Sequence, residues 1–184
     1  MRRLLLACLV ALLGACSGDR ANIKSDWERQ NEGRLVKEEA EALPELPAFP
    51  RRENLVEFFV SSASDFKFFV DRAAIGVKGG VVRYTLVARS PSGVDNISYE
   101  GMNCAAGEYR VFALGRPDGT WLSRPGPWRE IPTRSVQRWH SALQREYFCP
   151  NGIPVTDAPE AVRALELGGH PVIKATPSFG GAAR

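Results

Sequence analysis

Cys149 and His140 bring a thiol and an imidazole onto one stretch of the chain, the minimum for a nucleophile with its own base. Nine residues separate them, and a helix would set them about 13 Å apart along its axis, beyond proton-transfer reach. With Cys104 and His170 the same two side chains make four zinc-type ligands, but no two are as closely spaced as zinc sites require, so no metal is expected. His140 reads more simply as a packed or half-exposed helix residue. Glu100 and Glu108 flank Cys104 on what look like neighbouring strands and could approach as a glycosidase carboxylate pair does; solvent-facing sheet positions are the simpler reading. The chain carries no Gly-x-Ser-x-Gly, phosphate loop, dinucleotide fingerprint or His-Glu-x-x-His. No catalytic residue and no cofactor is therefore assigned, and the reading leans away from an enzyme.

Aromatic and guanidinium groups are the remaining candidates for a surface. Tyr99, Tyr109, Arg110, Trp121, Trp128 and Arg129 lie close together in the central third, and Trp, Tyr and Arg are the types that dominate binding hot spots. These six form the candidate binding surface. In a domain of this size most large aromatics belong instead to the core.

A third chemistry lies at the start of the chain. Arg2 and Arg3, the apolar stretch from Leu4 to Leu13, and the small residues Gly14 and Ala15 are the three regions of a secretory signal, too short to span a bilayer. Leu13-Gly14-Ala15-Cys16 resembles the lipobox of bacterial lipoproteins. That resemblance implies cleavage before Cys16, lipidation of Cys16, and an acylated protein anchored without help from its folded part. Ser17 after the cysteine resembles the sorting signal for the outer membrane, on its periplasmic side.

Removal of the signal takes Arg2 and Arg3 from the 24 Lys and Arg and leaves near balance with 21 Asp and Glu, so the formal charge of +3 is no sign of nucleic-acid binding. Of four cysteines, Cys8 departs with the signal and Cys16 goes to lipid. In an oxidising periplasm Cys104 and Cys149 then read as a disulfide. Its loop of about 45 residues would restrict the unfolded chain by roughly 4 kcal/mol.

The elements that must position these groups follow from periodicity. With the first 15 residues removed, about 169 remain, enough for one domain with a real core at 44% hydrophobic content. Residues 16–50 are polar, then proline-punctuated from Leu43 to Pro50, and read as a tether. Leu55 to Val60 and Phe66 to Val70 are short runs of β-formers. Gly79-Gly80 opens a clear strand, Val81 to Arg89, with Val82, Tyr84, Leu86 and Ala88 on one face. Ser90-Pro91-Ser92-Gly93 turns into a strand through Ile97, Tyr99 and Gly101; Glu108 to Leu114 is the next, and Gly115 to Gly119 turns towards Trp121 and Leu122. Past Pro132 the period becomes 3.6. Val136, His140, Leu143 and Tyr147 share a face with Trp139 on its flank, Thr133 or Ser135 caps the helix, and Cys149-Pro150-Asn151-Gly152 ends it. A second helix starts at Asp157 with Glu160 as capping-box partner and ends at Gly168-Gly169. Residues 171–184 read as a disordered tail. The expected fold class is α+β: one domain over residues 51–170, an antiparallel β-meander with C-terminal helices packed on it, stapled by one disulfide.

The run from Gly80 to Ser90, the segment Asn96-Ile97-Ser98-Tyr99-Glu100-Gly101-Met102-Asn103-Cys104, then Gly107-Glu108-Tyr109-Arg110 and the later Trp121 and Trp128 resemble the CNP1-like family of exported, largely proteobacterial proteins. The resemblance covers about Ala48 to Leu167. It implies an exported single-domain protein and specifies no reaction. The functional expectation is a non-enzymatic envelope lipoprotein that binds an envelope protein or a cell-wall polymer such as peptidoglycan or a polysaccharide. The alternative is a periplasmic hydrolase of glycan, peptide or ester whose site forms only in three dimensions.

Overall fold

The computed structural model describes residues 43–132 and 138–175. The signal, Cys16, residues 16–42 of the expected tether, the cap candidates Thr133 and Ser135, Val136, and residues 176–184 lie outside the described residues.

Among the described residues seven antiparallel strands form one sheet. They are β1 (Leu55–Phe58), β2 (Lys67–Lys78), β3 (Val81–Arg89), β4 (Asp95–Asn103), β5 (Glu108–Gly115), β6 (Trp121–Ser123) and β7 (Arg129–Glu130). The first six follow each other as a meander, and β7 pairs with β5 through Glu108↔Glu130 and Tyr109↔Arg129. The second strand is longer than its apolar run suggests, since it continues past Val70 to Lys78 across an irregularity between Asp71 and Gly76. Asp71 is buried there and accepts from the Ala73 amide at 2.9 Å. Gly79 and Gly80, both at positive φ, make the two-residue turn into β3 that residues with a Cβ resist.

The C-terminal half supplies α1 (Trp139–Ala142), which runs on as a wider π turn over Leu143–Phe148, then α2 (Ala158–Glu166) and the short α3 (Pro171–Ala175). The π turn adds a residue to the helical repeat, so the adjacent Tyr147 and Phe148 both reach full burial. Asp157 caps α2 by accepting from the Glu160 amide at 2.9 Å. The Glu160 carboxylate reaches back to the Thr156 amide and hydroxyl rather than to the cap residue's own amide. His170, against Glu160 at 3.0 Å, anchors the start of α3, so residues 171–175 of the expected tail are helical.

Antiparallel register decides the two faces of the sheet. Val82, Tyr84, Leu86 and Ala88 lie opposite Met102, Glu100, Ser98 and Asn96, so all eight side chains share one face. Val82, Tyr84 and Met102 form one core with Leu143, Tyr147 and Phe148. The disulfide Cys104–Cys149, at 2.05 Å, joins the end of β4 to the end of the π turn. Tyr147 also ties the helical layer to the end of β1: its hydroxyl accepts from the Phe59 amide at 3.1 Å and donates to the Phe59 carbonyl at 3.3 Å.

The opposite face carries a second cluster of Tyr99, Phe112 and Ala113 with Leu46 and Trp121 against it. A register shift in β5 opposite Tyr99 and Glu100 turns the successive residues Phe112 and Ala113 to this same side. The proline-punctuated stretch joins the domain here instead of serving as tether. Trp121 Nε1 donates to the Pro47 carbonyl at 2.9 Å, and Phe49 packs on the Trp121 ring at 5.2 Å. Among the described residues no helix is long and apolar enough to cross a membrane.

Candidate functional site

Among the described residues the helices leave one end of their sheet face uncovered. There, Leu86, Ala88, Asn96 and Ser98 floor a pocket of about 1070 Å³, with the Val60 to Phe66 loop, Phe68, Leu114 and Trp139 around it. Leu143 and Phe148 of α1 and its π turn pack with Val82 and Tyr84, Tyr147 packs on Phe58 with ring centroids 5.6 Å apart, and Trp139, at the start of α1, stacks on Phe68 with ring centroids 5.4 Å apart. The lining is mostly apolar.

Glu100 stands where pocket and core meet. It is 3% exposed, and its carboxylate takes three hydrogen bonds. Tyr84 donates to Oε2 at 3.0 Å, His140 Nε2 lies 2.8 Å from the same oxygen, and Ser98 Oγ donates to Oε1 at 2.6 Å. Burial by itself pushes this carboxyl up. The facing His140 imidazole and the hydrogen bonds from His140, Ser98 and Tyr84 outweigh it and hold Glu100 below the ordinary range. An ionised carboxylate only accepts, so the Nε2 proton belongs to His140. Burial first, and then the Glu100 charge, push the Tyr84 phenol well above its ordinary value.

His140 is as buried as Glu100 and stacks on Tyr109 with centroids 3.8 Å apart. Its Nδ1 and the Trp139 Nε1 are buried without a hydrogen-bond partner among the described residues. A carboxylate that orients a histidine is half of a general-base arrangement. Among the described residues no nucleophile completes it, because the nearby hydroxyl, Ser98, bonds to the carboxylate and not to the other side of the imidazole. The arrangement holds the Glu100 charge and aligns its donors.

The residues singled out by type fall in different places. Cys149 is disulfide-bonded to Cys104, which removes both from the nucleophile and zinc readings. Among the described residues no group of three or more His, Cys, Asp or Glu gathers as metal ligands would. Glu108 lies opposite Asn103 while Glu100 lies opposite Val111, so the two carboxylates are not a pair; nor is Glu100 solvent-facing.

The six-residue surface does not assemble either, because alternation along β5 sends its members to opposite faces. Tyr109 stacks on His140 on the helical side. Arg110, on the other, is buried, donates to the Gly126 carbonyl at 2.8 Å and lies over the Phe112 ring at 5.7 Å. Tyr99 and Trp128 are buried against Phe112, and Trp121 is half-covered by Phe49 and Pro47. Arg129 alone of the six is exposed.

Sequence reasoning missed Glu100, Ser98, Tyr84 and Trp139 as one site. A usable signal was present. Counting outwards from the Ser90 to Val94 turn, with Arg89 opposite Asp95, sets Tyr84 opposite Glu100 and Leu86 opposite Ser98 on the core face.

Neither a curated protein nor a solved structure matches the chain. The model of the CNP1-like family matches residues 35–166, which include both clusters, the disulfide and the Glu100 site, and the chain belongs to that family.

Proposed function

We propose that this chain is an envelope lipoprotein whose domain is a binding module: lipid on Cys16 holds it to the periplasmic face of the outer membrane, and the pocket beside Glu100 receives a small ligand or the end of a larger one. The pocket carries this reading. At about 1070 Å³ it lies at the upper end of ligand-site volumes, and a mainly apolar lining with polar groups set among it is the usual composition of such sites. The Cys104–Cys149 bond suits an oxidising compartment, and Leu13-Gly14-Ala15-Cys16 supports the anchor.

Two experiments test the two halves. Cys16→Ala is expected to release the protein from the membrane fraction and to abolish incorporation of labelled fatty acid; continued labelling and membrane fractionation would sink the anchor. Native mass spectrometry of protein purified from a bacterial envelope is expected to show a bound small molecule that Ala88→Trp, which fills the pocket floor, removes. A protein that is ligand-free in both forms counts against the binding module.

The hydrolase reading keeps one observation in its favour, the Glu100–His140 pair at the pocket. Ester, peptide and glycan substrates should all be left intact by the wild-type protein; turnover that disappears in His140→Gln would reverse the choice.

A further inference from the structure

At the inner end of the pocket Glu100 and Ser98 present acceptors, and the uncharged donors in the lining include the buried Trp139 indole and the exposed Asn96 amide. A carboxylate accepts at about four positions, and Glu100 has three filled, two on Oε2 and one on Oε1. Ser98 spends its proton on Glu100 Oε1, so towards the pocket it presents lone pairs. Both residues line the cavity, and around them stand Phe68, Leu86, Leu114 and Trp139, which provide contact area and no charge. A buried anion with an unfilled acceptor position favours a donor and repels a second anion, the more so in low dielectric. We propose that the pocket takes an amphiphile that enters with a hydrogen-bond donor leading, a hydroxyl or an ammonium on an apolar chain, and excludes one that would lead with a carboxylate or phosphate. This rests on the binding reading of the same pocket. The rim differs, since Asp65 and Arg138 both border it, so the inner end is what selects the head group.

Three probes of equal chain length separate the possibilities: decanol, decylamine and decanoate, each kept monomeric and titrated into the full mature chain by calorimetry and tryptophan fluorescence. Decanol and decylamine are expected to bind and to change Trp139 emission, and decanoate to bind about tenfold more weakly, the loss expected for one charge-assisted hydrogen bond. Ala88→Trp should abolish binding of all three. Glu100→Gln, which puts an amide donor beside the pocket, should narrow the gap between decylamine and decanoate. If that variant does not fold, the wild-type series and Ala88→Trp decide. Equal or tighter binding of decanoate, as a head group seated on Arg138 would give, overturns the donor rule and leaves pocket binding standing. Binding that survives Ala88→Trp places the ligand elsewhere and overturns it too. If none of the three binds, the binding reading fails with it.

Discussion

Glu100 and His140 form the most consequential contact between the sheet and the helical layer. A buried carboxylate that loses one of its hydrogen-bond donors keeps the full cost of its own desolvation. His140→Ala leaves the Glu100 carboxylate buried with donors from Tyr84 and Ser98 only, and is expected to cost about 3 kcal/mol in urea unfolding. Acid should act on the same pair. Because the folded protein holds Glu100 below its ordinary range, its ionisation stabilises the fold fully above the unfolded carboxyl value of about 4.3, and that contribution is lost as pH falls through the lower folded value. Glu100→Gln cannot titrate. Its unfolding free energy, measured in pH steps, should therefore fall less steeply than that of the wild type below about pH 4.3, and parallel curves would remove this carboxylate from the acid sensitivity.

At the scale of elements, β4 and the π turn are fastened at their ends by one bond, and β4 must also lie close to β5. The disulfide closes a loop of 45 residues, so Cys104→Ala with Cys149→Ala is expected to lower stability by about 4 kcal/mol, checked by denaturation beside a thiol count of zero for these two cysteines in the unreduced wild type. Gly101 is a different constraint. A Cβ there would lie 2.8 Å from the Phe112 ring and 3.2 Å from Val81, so Gly101→Ala should cost about 1–3 kcal/mol by overpacking. Much at this scale was legible because it is local: Gly79-Gly80, the Ser90 to Gly93 turn and the alternation in Val81 to Arg89 each mark a short-range geometry. What was not legible is non-local or breaks the period. The continuation of β2 across the Asp71 irregularity, the shift that puts Phe112 and Ala113 on one side, and the π turn that buries both Tyr147 and Phe148 are each local departures stabilised by what packs across from them. The aromatic surface fails for a plainer reason: ordinary alternation along β5 sends Tyr109 and Arg110 to opposite faces, and Tyr99 and Trp128 are spent on the core around Phe112.

For the molecule as a whole, the sheet has two apolar faces and needs cover on both. Helices supply it on one side. On the other, the stretch that looks like tether contributes, with Leu46 and Phe49 packed towards Tyr99 and Trp121, and the Pro47 carbonyl fixing the indole. Prolines suit this role: they hold the strap extended, and the few backbone donors they remove leave carbonyls such as that of Pro47 to be met by side chains. The candidate site depends on asymmetry between the faces, because the helical side leaves Leu86, Ala88 and Ser98 as the floor of a pocket. A consequence for the start of the domain can be tested by truncation. A chain that begins at Leu43 retains Leu46, Pro47 and Phe49, whereas one that begins at Arg51 leaves Trp121 without the Pro47 carbonyl and the Phe49 ring and keeps its contact with Tyr99. The shorter chain is expected to be less stable than the longer by about 2 kcal/mol, the scale of one large apolar side chain withdrawn from its site, and its tryptophan emission should shift to the red. Equal stability and unchanged emission for the two chains would return residues 43–50 to the tether and leave the second face of the sheet to be covered by something else.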